Sequence, residues 1–159
     1  MMGKTAAISD CGNYRFELTR SFDSGRGICV WIMLNPSTAD AEIDDPTIRR
    51  CMRFTQDFGY RRMVVINLYA YRSKDPCDLK RVRNPVGKGN DRYLEQWIAT
   101  ADRVVVAWGG SVRCDDRADA VRQIAYENHT KLWCLGKTKN GAPRHPLYVR
   151  ASQELVPWR

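Results

Sequence analysis

Polar side chains stand at the ends of apolar runs at four places in the chain, which is a pattern that can build a reactive site. Asn35 and Asn67 each close such a run, and Gly109-Gly110-Ser111 and His145 follow two others. A buried Asn amide can donate and accept hydrogen bonds at once, so it can pair with both a carbonyl and an N–H on the edge of a pyrimidine. This convergence at the ends of the runs favours a ligand site more than any single residue does.

The loop that begins at Asn35 holds groups that could bind water, protons or phosphate. Asn35 could hold a water molecule, but an amide cannot take its proton. Asp40 and Asp44 are carboxylates of the same loop and are candidate general bases, whereas Asp45 is expected to be occupied as a helix cap. Alternatively, the Ser-Thr pair that starts at Ser37, lying ahead of a helix, could bind a single phosphate.

Four apolar runs are predicted to be the strands that bring these groups together. They contain β-branched and aromatic residues with almost no polar alternation, as is typical of strands buried on both faces. Their positions are residues 28–34, 63–68, 104–108 and 132–135. Ligands of open α/β sheets bind at the carboxyl ends of such strands.

Helices are predicted between these strands. Asp45 and Pro46 have the types that open a helix, and Gly59 is placed to end it. Two more helices are predicted at residues 90–101 and 116–128, and an N-terminal hairpin at residues 5–22. We expect a single α/β domain over residues 1–159 with three layers: a mainly parallel four-stranded sheet, helices on both faces, and the hairpin at one edge.

The charge balance favours a polyanionic partner, of which nucleic acid is the commonest. The chain has 26 Lys and Arg residues against 18 Asp and Glu residues, a net charge of +8. A basic protein with no special partner is the alternative. Two segments carry cations that could contact DNA phosphates, although a solvated charged face is again the alternative. The first holds Arg72, Lys74, Lys80, Arg81, Arg83 and Lys88, and the second holds Lys137, Lys139 and Arg144.

Composition also argues against several classes of protein. The apolar runs are too short to span a membrane, and the N-terminus has no secretory signal. The six cysteines form no C-x-x-C pair of the kind that holds zinc or an iron–sulfur cluster. We therefore expect free thiols in a reducing cytoplasm, no metal or other cofactor, no membrane partner and a monomer.

Two stretches, LNPSTAD and NLYAYR, resemble the DUF1643 family of bacterial and phage proteins, and that resemblance covers nearly the whole chain without bringing a function. LNPST also resembles the first motif of the uracil-DNA glycosylase superfamily, in the Asn-Pro form of the mismatch-specific uracil and thymine glycosylases. Three more segments, VVINLYAYR, AWGGSVR and RHPLYVR, are similar to the second strand, the third strand and the closing motif of those enzymes, in the same order.

The glycosylase resemblance implies a fold of that type and a hydrolase that flips a base out of DNA and cleaves its glycosidic bond. It implies that Asn67 reads the base and that His145, as a neutral imidazole, donates toward a carbonyl oxygen of the leaving base. Alternatively, Asn67 only bonds to backbone at a strand end and His145 is only solvated. Asn35 stands where other uracil glycosylases carry a water-activating Asp, so we expect a slow chemical step.

Base stacking and DNA distortion require further side chains. Tyr69, Tyr71 and Phe54 are the aromatic candidates for stacking on the base, with Pro36 and Ser37 beside it. Leu147 or Tyr148 could fill the vacated base stack, as apolar wedges do in DNA-distorting proteins, or could anchor their loop on the core.

We therefore expect a metal-independent, monofunctional DNA N-glycosylase that acts on a flipped pyrimidine, including a modified one. Two alternatives stay open. One is a non-catalytic nucleic-acid or nucleotide binding module on the same fold, which lacks the water-activating carboxylate. The other is an enzyme of free nucleotides that holds phosphate at the Ser-Thr pair.

Overall fold

The computed structural model describes residues 3–159 and contains one sheet of seven strands, three α-helices and two short 3₁₀ helices. The strands are β1 Gly3–Ile8, β2 Arg15–Ser21, β3 Ile28–Met33, β4 Arg62–Asn67, β5 Arg103–Val106, β6 Leu132–Cys134 and β7 Val156–Pro157. The α-helices are α1 Pro46–Asp57, α2 Asn90–Thr100 and α3 Asp115–Glu127, and the 3₁₀ helices are Pro76–Lys80 and Pro146–Tyr148. Within this range no helix has the length and apolar character needed to cross a membrane.

The sheet is mixed, with the order β1-β2-β4-β3-β5-β6-β7. The pairings β4–β3, β3–β5 and β5–β6 are parallel, and β1, β2 and β7 join antiparallel. The α/β class and the N-terminal hairpin are as predicted. The expected four-stranded sheet is too small, because β2 pairs along β4 and the two-residue β7 extends the other edge beside β6.

Strand order creates a crevice at the carboxyl ends of β3 and β5. From β3 the chain crosses to its neighbour β4 on one side, then returns to β5 on the other side of β3. The helices that follow β3 and β5, α1 and α3, pack on opposite faces of the sheet. Loops that diverge in this way leave room between them, and this is where open α/β sheets bind ligands.

Both faces of the sheet are buried, which is why its central strands have continuous apolar sequences. Along β3, Val30 and Ile32 face the cluster under α2 and α3, while Trp31 faces the cluster under α1. The one polar group of Trp31 is satisfied, since its Nε1 donates to Thr55 Oγ1 at 2.9 Å. Thr55 in turn donates to the carbonyl of Cys51 at 2.7 Å, so the polar atoms are paired inside an apolar layer.

The bounds of α1 follow from its capping residues. Asp45 Oδ1 accepts the backbone N–H of Ile48 at 2.9 Å, and Pro46 takes the first helical position. Gly59 follows the helix in the left-handed region at φ +84°, where a side chain would be strained. The predicted start and stop of this helix are confirmed, and they hold Asp45 at the carboxyl edge of the sheet.

Candidate functional site

A cavity of about 780 Å³ opens at the carboxyl edge of the parallel strands. Its walls are the loop after β3, the loop after β5 and the segment that leads into the 3₁₀ helix Pro146–Tyr148. Ten of the residues predicted as catalytic, base-binding or DNA-binding line it: Asn35, Pro36, Ser37, Asn67, Lys74, Lys139, Arg144, His145, Leu147 and Tyr148. Asn35, Asn67 and His145 therefore all line the same cavity.

Asn67 is the most unusual group in this cavity. It ends β4 and its side chain is 1% exposed, yet within residues 3–159 neither its Oδ1 nor its Nδ2 has a hydrogen-bond partner. Its backbone carbonyl, by contrast, accepts from Asn90 Nδ2 at 2.9 Å. An unpaired buried polar group costs about 1–3 kcal/mol, so native proteins rarely keep one without a function. The Asn67 amide is therefore left with donors and an acceptor for a ligand.

His145 presents one defined donor. Its Nδ1 accepts the backbone N–H of Leu147 at 3.2 Å, which assigns the proton of the neutral ring to Nε2. Burial lowers the pKa of His145 below its ordinary value, while the nearby Asp45 acts in the opposite direction. At neutral pH the ring is therefore uncharged, and its Nε2–H has no acceptor within residues 3–159.

Two contacts that the sequence did not reveal position His145. Gly109 lies at φ +74°, and a Cβ there would stand 3.3 Å from His145 Cβ, so this site requires glycine. Arg50 of α1 donates from Nε to the carbonyl of Pro146 at 3.2 Å and from Nη2 to the carbonyl of Val149. Arg50 thereby ties the histidine-bearing segment to the helix, although its charge alone gave no sign of this role.

Asn35 keeps only its acceptor free. Its Nδ2 donates to the carbonyl of Ser73 at 3.0 Å and to that of Pro36 at 3.2 Å, whereas its Oδ1 has no partner in the described chain. The amide therefore holds the segment around Ser73 beside the cavity. A water molecule could donate to its Oδ1, but Asn35 cannot deprotonate that water.

The carboxylate at the cavity is Asp45; the two predicted candidates, Asp40 and Asp44, do not line it. Asp40 Oδ1 accepts the backbone N–H groups of Ile43 and Glu42, each at 2.8 Å, and these bonds lower its pKa. Burial alone would raise the pKa of Asp44, but hydrogen bonds from Lys4 and Arg20 lower it. Both carboxylates hold their loop in place. Asp45 caps α1 through Oδ1, as predicted, and lines the cavity as well.

Trp108 and Tyr148 bring aromatic rings to the cavity, whereas Phe54, Tyr69 and Tyr71 do not line it. Phe54 is buried under α1, with its ring centroid 6.0 Å from that of Trp31. Tyr69 and Tyr71 pack against the opposite core cluster. Phe54 therefore cannot stack on a ligand in this cavity, because it lies on the face of α1 that packs into the core.

The basic residues divide into two groups. Lys74, Lys139 and Arg144 are exposed and line the cavity. The rest lie away from it: Arg72, Lys80, Arg81, Arg83, Lys88 and Lys137. Two of these make structural contacts. Arg72 donates to the carbonyl of Ser37 at 3.3 Å, and Lys137 donates to the carbonyl of Arg159 at 2.9 Å. Of the basic residues predicted to contact phosphates, those of the first group line the cavity and can meet phosphates of a ligand there.

Arg15 lines the cavity, although the sequence does not predict it there. Period-two alternation in β2 predicts it on the solvent face, yet it is 2% exposed. The pairing of β1 with β2 shifts between Ala7 and Ile8, whose partners are Glu17 and Arg15, so Phe16 is an extra residue in β2. Such a bulge interrupts the alternation of faces, and this explains why Arg15 points inward.

Comparison with known proteins gives a family and nothing further. No curated protein and no solved structure matches the chain. Residues 15–147 match the family model described as "Protein of unknown function (DUF1643)". Since this match spans most of the chain, the protein belongs to the DUF1643 family.

Proposed function

We propose that this protein recognises a nucleobase extruded from DNA in the cavity and hydrolyses its N-glycosidic bond. The observation that carries the proposal is the buried Asn67 amide with both ends unpaired. A partner for it must offer an acceptor and a donor side by side. The edge of a pyrimidine offers a carbonyl and an N–H in that arrangement, and it becomes accessible once the base is flipped.

The dimensions and walls of the cavity fit such a ligand. Its volume of about 780 Å³ lies within the usual range for small-molecule sites, about 300–1,000 Å³. Trp108 and Pro36 supply apolar wall surface, and Asn67 and His145 supply polar groups. Apolar wall surface beside convergent polar groups is typical of sites that bind small molecules.

The proposed reaction uses Asp45 and His145. A water oxygen attacks C1′ of the sugar, the C1′–N bond breaks, and its electron pair leaves with the base. The proton of the attacking water passes to Asp45, and the base anion accepts a hydrogen bond from His145 Nε2–H. A neutral imidazole suffices here, because donation to a developing anion requires an N–H and no full charge.

The rim of the cavity supports DNA rather than a free base as the source of the ligand. Lys74, Lys139 and Arg144 are exposed there and could neutralise phosphates. Leu147 and Tyr148 are 43% and 79% exposed beside them. Exposed apolar side chains next to cations are what a protein needs to fill the gap that a flipped base leaves.

A second candidate is a binding module that reads the base without cleaving it. One observation favours it: Asp45 Oδ1 already accepts the backbone N–H of Ile48 as the cap of α1, so this oxygen is occupied. Both candidates share the base-reading cavity, and they differ only in whether the bond breaks.

The test incubates purified protein with labelled single- and double-stranded oligonucleotides that carry uracil, a thymine mismatch or a hypermodified pyrimidine, followed by alkali to reveal abasic sites. We expect product with the wild type, none with Asn67→Ala, and a large decrease with Asp45→Asn, which keeps an acceptor for the helix cap. Lys80→Ala is the matched control, since Lys80 is exposed and outside the cavity.

The outcomes separate the candidates. Binding that depends on Asn67 without abasic product supports the binding module. Cleavage that survives Asn67→Ala, or the absence of binding to every one of these oligonucleotides, refutes base reading in this cavity.

A further inference from the structure

Arg15 is a buried cation that forms no ion pair in the described part of the chain. Its side chain lines the cavity and is 2% exposed. Its Nη1 donates to the carbonyl of Ala39 at 2.8 Å, while its Nε is buried and has no partner in the described chain. Among the ion pairs within residues 3–159 none involves Arg15. A guanidinium has five N–H donors, so most of its binding capacity is unused.

A second buried arginine on the same strand, Arg20, has acceptors for its N–H donors. Arg20 is also fully buried, but its Nε pairs with Asp44 Oδ1 at 2.8 Å and its Nη2 donates to the carbonyl of Asp40 at 2.6 Å. Its Nη1 donates to the carbonyl of Thr19 at 2.9 Å. Arg20 therefore serves the fold. The guanidinium of Arg15 has the same N–H donors as that of Arg20, but one carbonyl is its acceptor. This contrast indicates that a ligand supplies the other acceptors.

The charge of Arg15 persists at neutral pH. Burial lowers its pKa to about 10, and the neighbouring Arg72 and Arg20 act in the same direction, while Asp45 and Asp40 oppose them. A group with that pKa remains protonated at pH 7. The cavity thus contains a positive charge at neutral pH that forms no ion pair within residues 3–159.

We propose that Arg15 forms an oxyanion subsite in the cavity, so that the bound ligand carries a phosphate or a carboxylate beside the group that Asn67 reads. A guanidinium fork matches the geometry of both anions and binds them in bidentate fashion. The proposal rests on the proposed function for the nucleotide nature of the ligand, and it adds that the ligand is anionic at this subsite. A neutral pyrimidine alone would leave Arg15 unpaired.

The test measures binding by calorimetry with four probes: deoxyuridine, deoxyuridine 5′-monophosphate, 5-carboxydeoxyuridine and inorganic phosphate. We expect the wild type to prefer at least one anionic nucleotide over deoxyuridine by about tenfold or more, which is the usual effect of one charge-assisted pair. A preference for the monophosphate identifies a phosphate as the anion, and a preference for the carboxy compound identifies a substituent of the base.

Arg15→Met removes the charge, and Arg15→Gln provides a second variant that keeps a donor for the carbonyl of Ala39. We expect both to bring the affinities for charged and neutral probes to within about twofold of one another, whereas the exposed control Lys80→Met keeps the wild-type preference. Equal affinity of the wild type for deoxyuridine and both anionic nucleotides overturns the subsite, even if neither variant folds.

Failure of the subsite and failure of the proposed function give different results. In one case inorganic phosphate binds to the wild type and to Asn67→Ala but not to Arg15→Met, and deoxyuridine binds to none of the three. That result supports the subsite and refutes base reading. In the other case deoxyuridine binds to the wild type and equally well to Arg15→Met but not to Asn67→Ala, and the wild type shows no preference for anionic nucleotides. That result supports base reading and refutes the subsite.

Discussion

Replacing Arg15 by Met is expected to make the ligand-free protein more stable. Burial lowers the pKa of this guanidinium to about 10, which is at least roughly two pKa units below its ordinary value. Each pKa unit corresponds to about 1.4 kcal/mol, so keeping the cation in the fold costs about 3 kcal/mol. The substitution also removes the hydrogen bond to the carbonyl of Ala39, worth about 1 kcal/mol. We expect a net gain in the free energy of unfolding of about 1–2 kcal/mol.

The sign of the pH dependence follows from the same pKa. Because the folded-state pKa of Arg15 lies below the unfolded-state value, the unfolded chain binds more protons once the pH rises above about 10. The cost of the charge is therefore fully present below about pH 10 and is relieved only as the pH rises above it. The stability difference between Arg15→Met and the wild type should be constant from about pH 6 to pH 9.

Urea unfolding followed by tryptophan fluorescence measures the effect, and thermal unfolding should shift upward by about 2–4 °C per kcal/mol in a protein of this size. The matched control is Arg20→Met, which breaks a buried ion pair with Asp44 and should lose about 3 kcal/mol. If Arg15→Met instead loses more than about 1 kcal/mol, Arg15 is a structural residue like Arg20, and the inference that its partner is absent fails.

Three further predictions concern stability and its pH dependence. Asn67→Leu should leave the free energy of unfolding unchanged or raise it by about 1 kcal/mol while abolishing base binding, because it removes an unpaired amide; a clear loss in urea unfolding contradicts this. Thr55→Val should lose about 1–3 kcal/mol, because Trp31 Nε1 loses its acceptor, and Thr55→Ser should lose less; equal losses refute the role of this bond. The pKa of His145 is lowered from its ordinary value of 6.5, so the free energy of unfolding should decrease as the pH drops below about 6.5. Urea unfolding of His145→Gln should show a smaller decrease over the same pH range. Identical pH profiles of the variant and the wild type would contradict this prediction.

The elements of the fold were predictable because each leaves a local signature. A strand covered on both faces must be apolar at every position, and this located β3, β4 and β5 to within a few residues. The ends of α1 follow from Asp45, Pro46 and Gly59, whose side chains act within their own turn. The two residues of β7 carry no such signature, because a strand of that length has no periodicity to detect.

The cavity was only partly predictable, because its lining depends on distances between elements. Asn35, Asn67 and His145 could be inferred, since parallel strands bring their carboxyl ends to one edge. The direction of a side chain around a helix or across a bulge is set by packing. For that reason Phe54 proved to be core, and Arg15 proved to be buried in the cavity.

Asn67 and Arg15 together suggest how the cavity selects its ligand. They lie on β4 and β2, which pair directly, and each is buried with polar atoms that no described residue satisfies. A ligand that pairs with only one of them leaves the other unpaired in a dehydrated site, and such sites reject incomplete analogues far more strongly than apolar pockets do. Selectivity should therefore exceed the sum of the two contacts, and the double variant Asn67→Ala/Arg15→Met should lose less affinity than the two single losses combined. Strict additivity of these losses would show that the two groups bind their ligands independently.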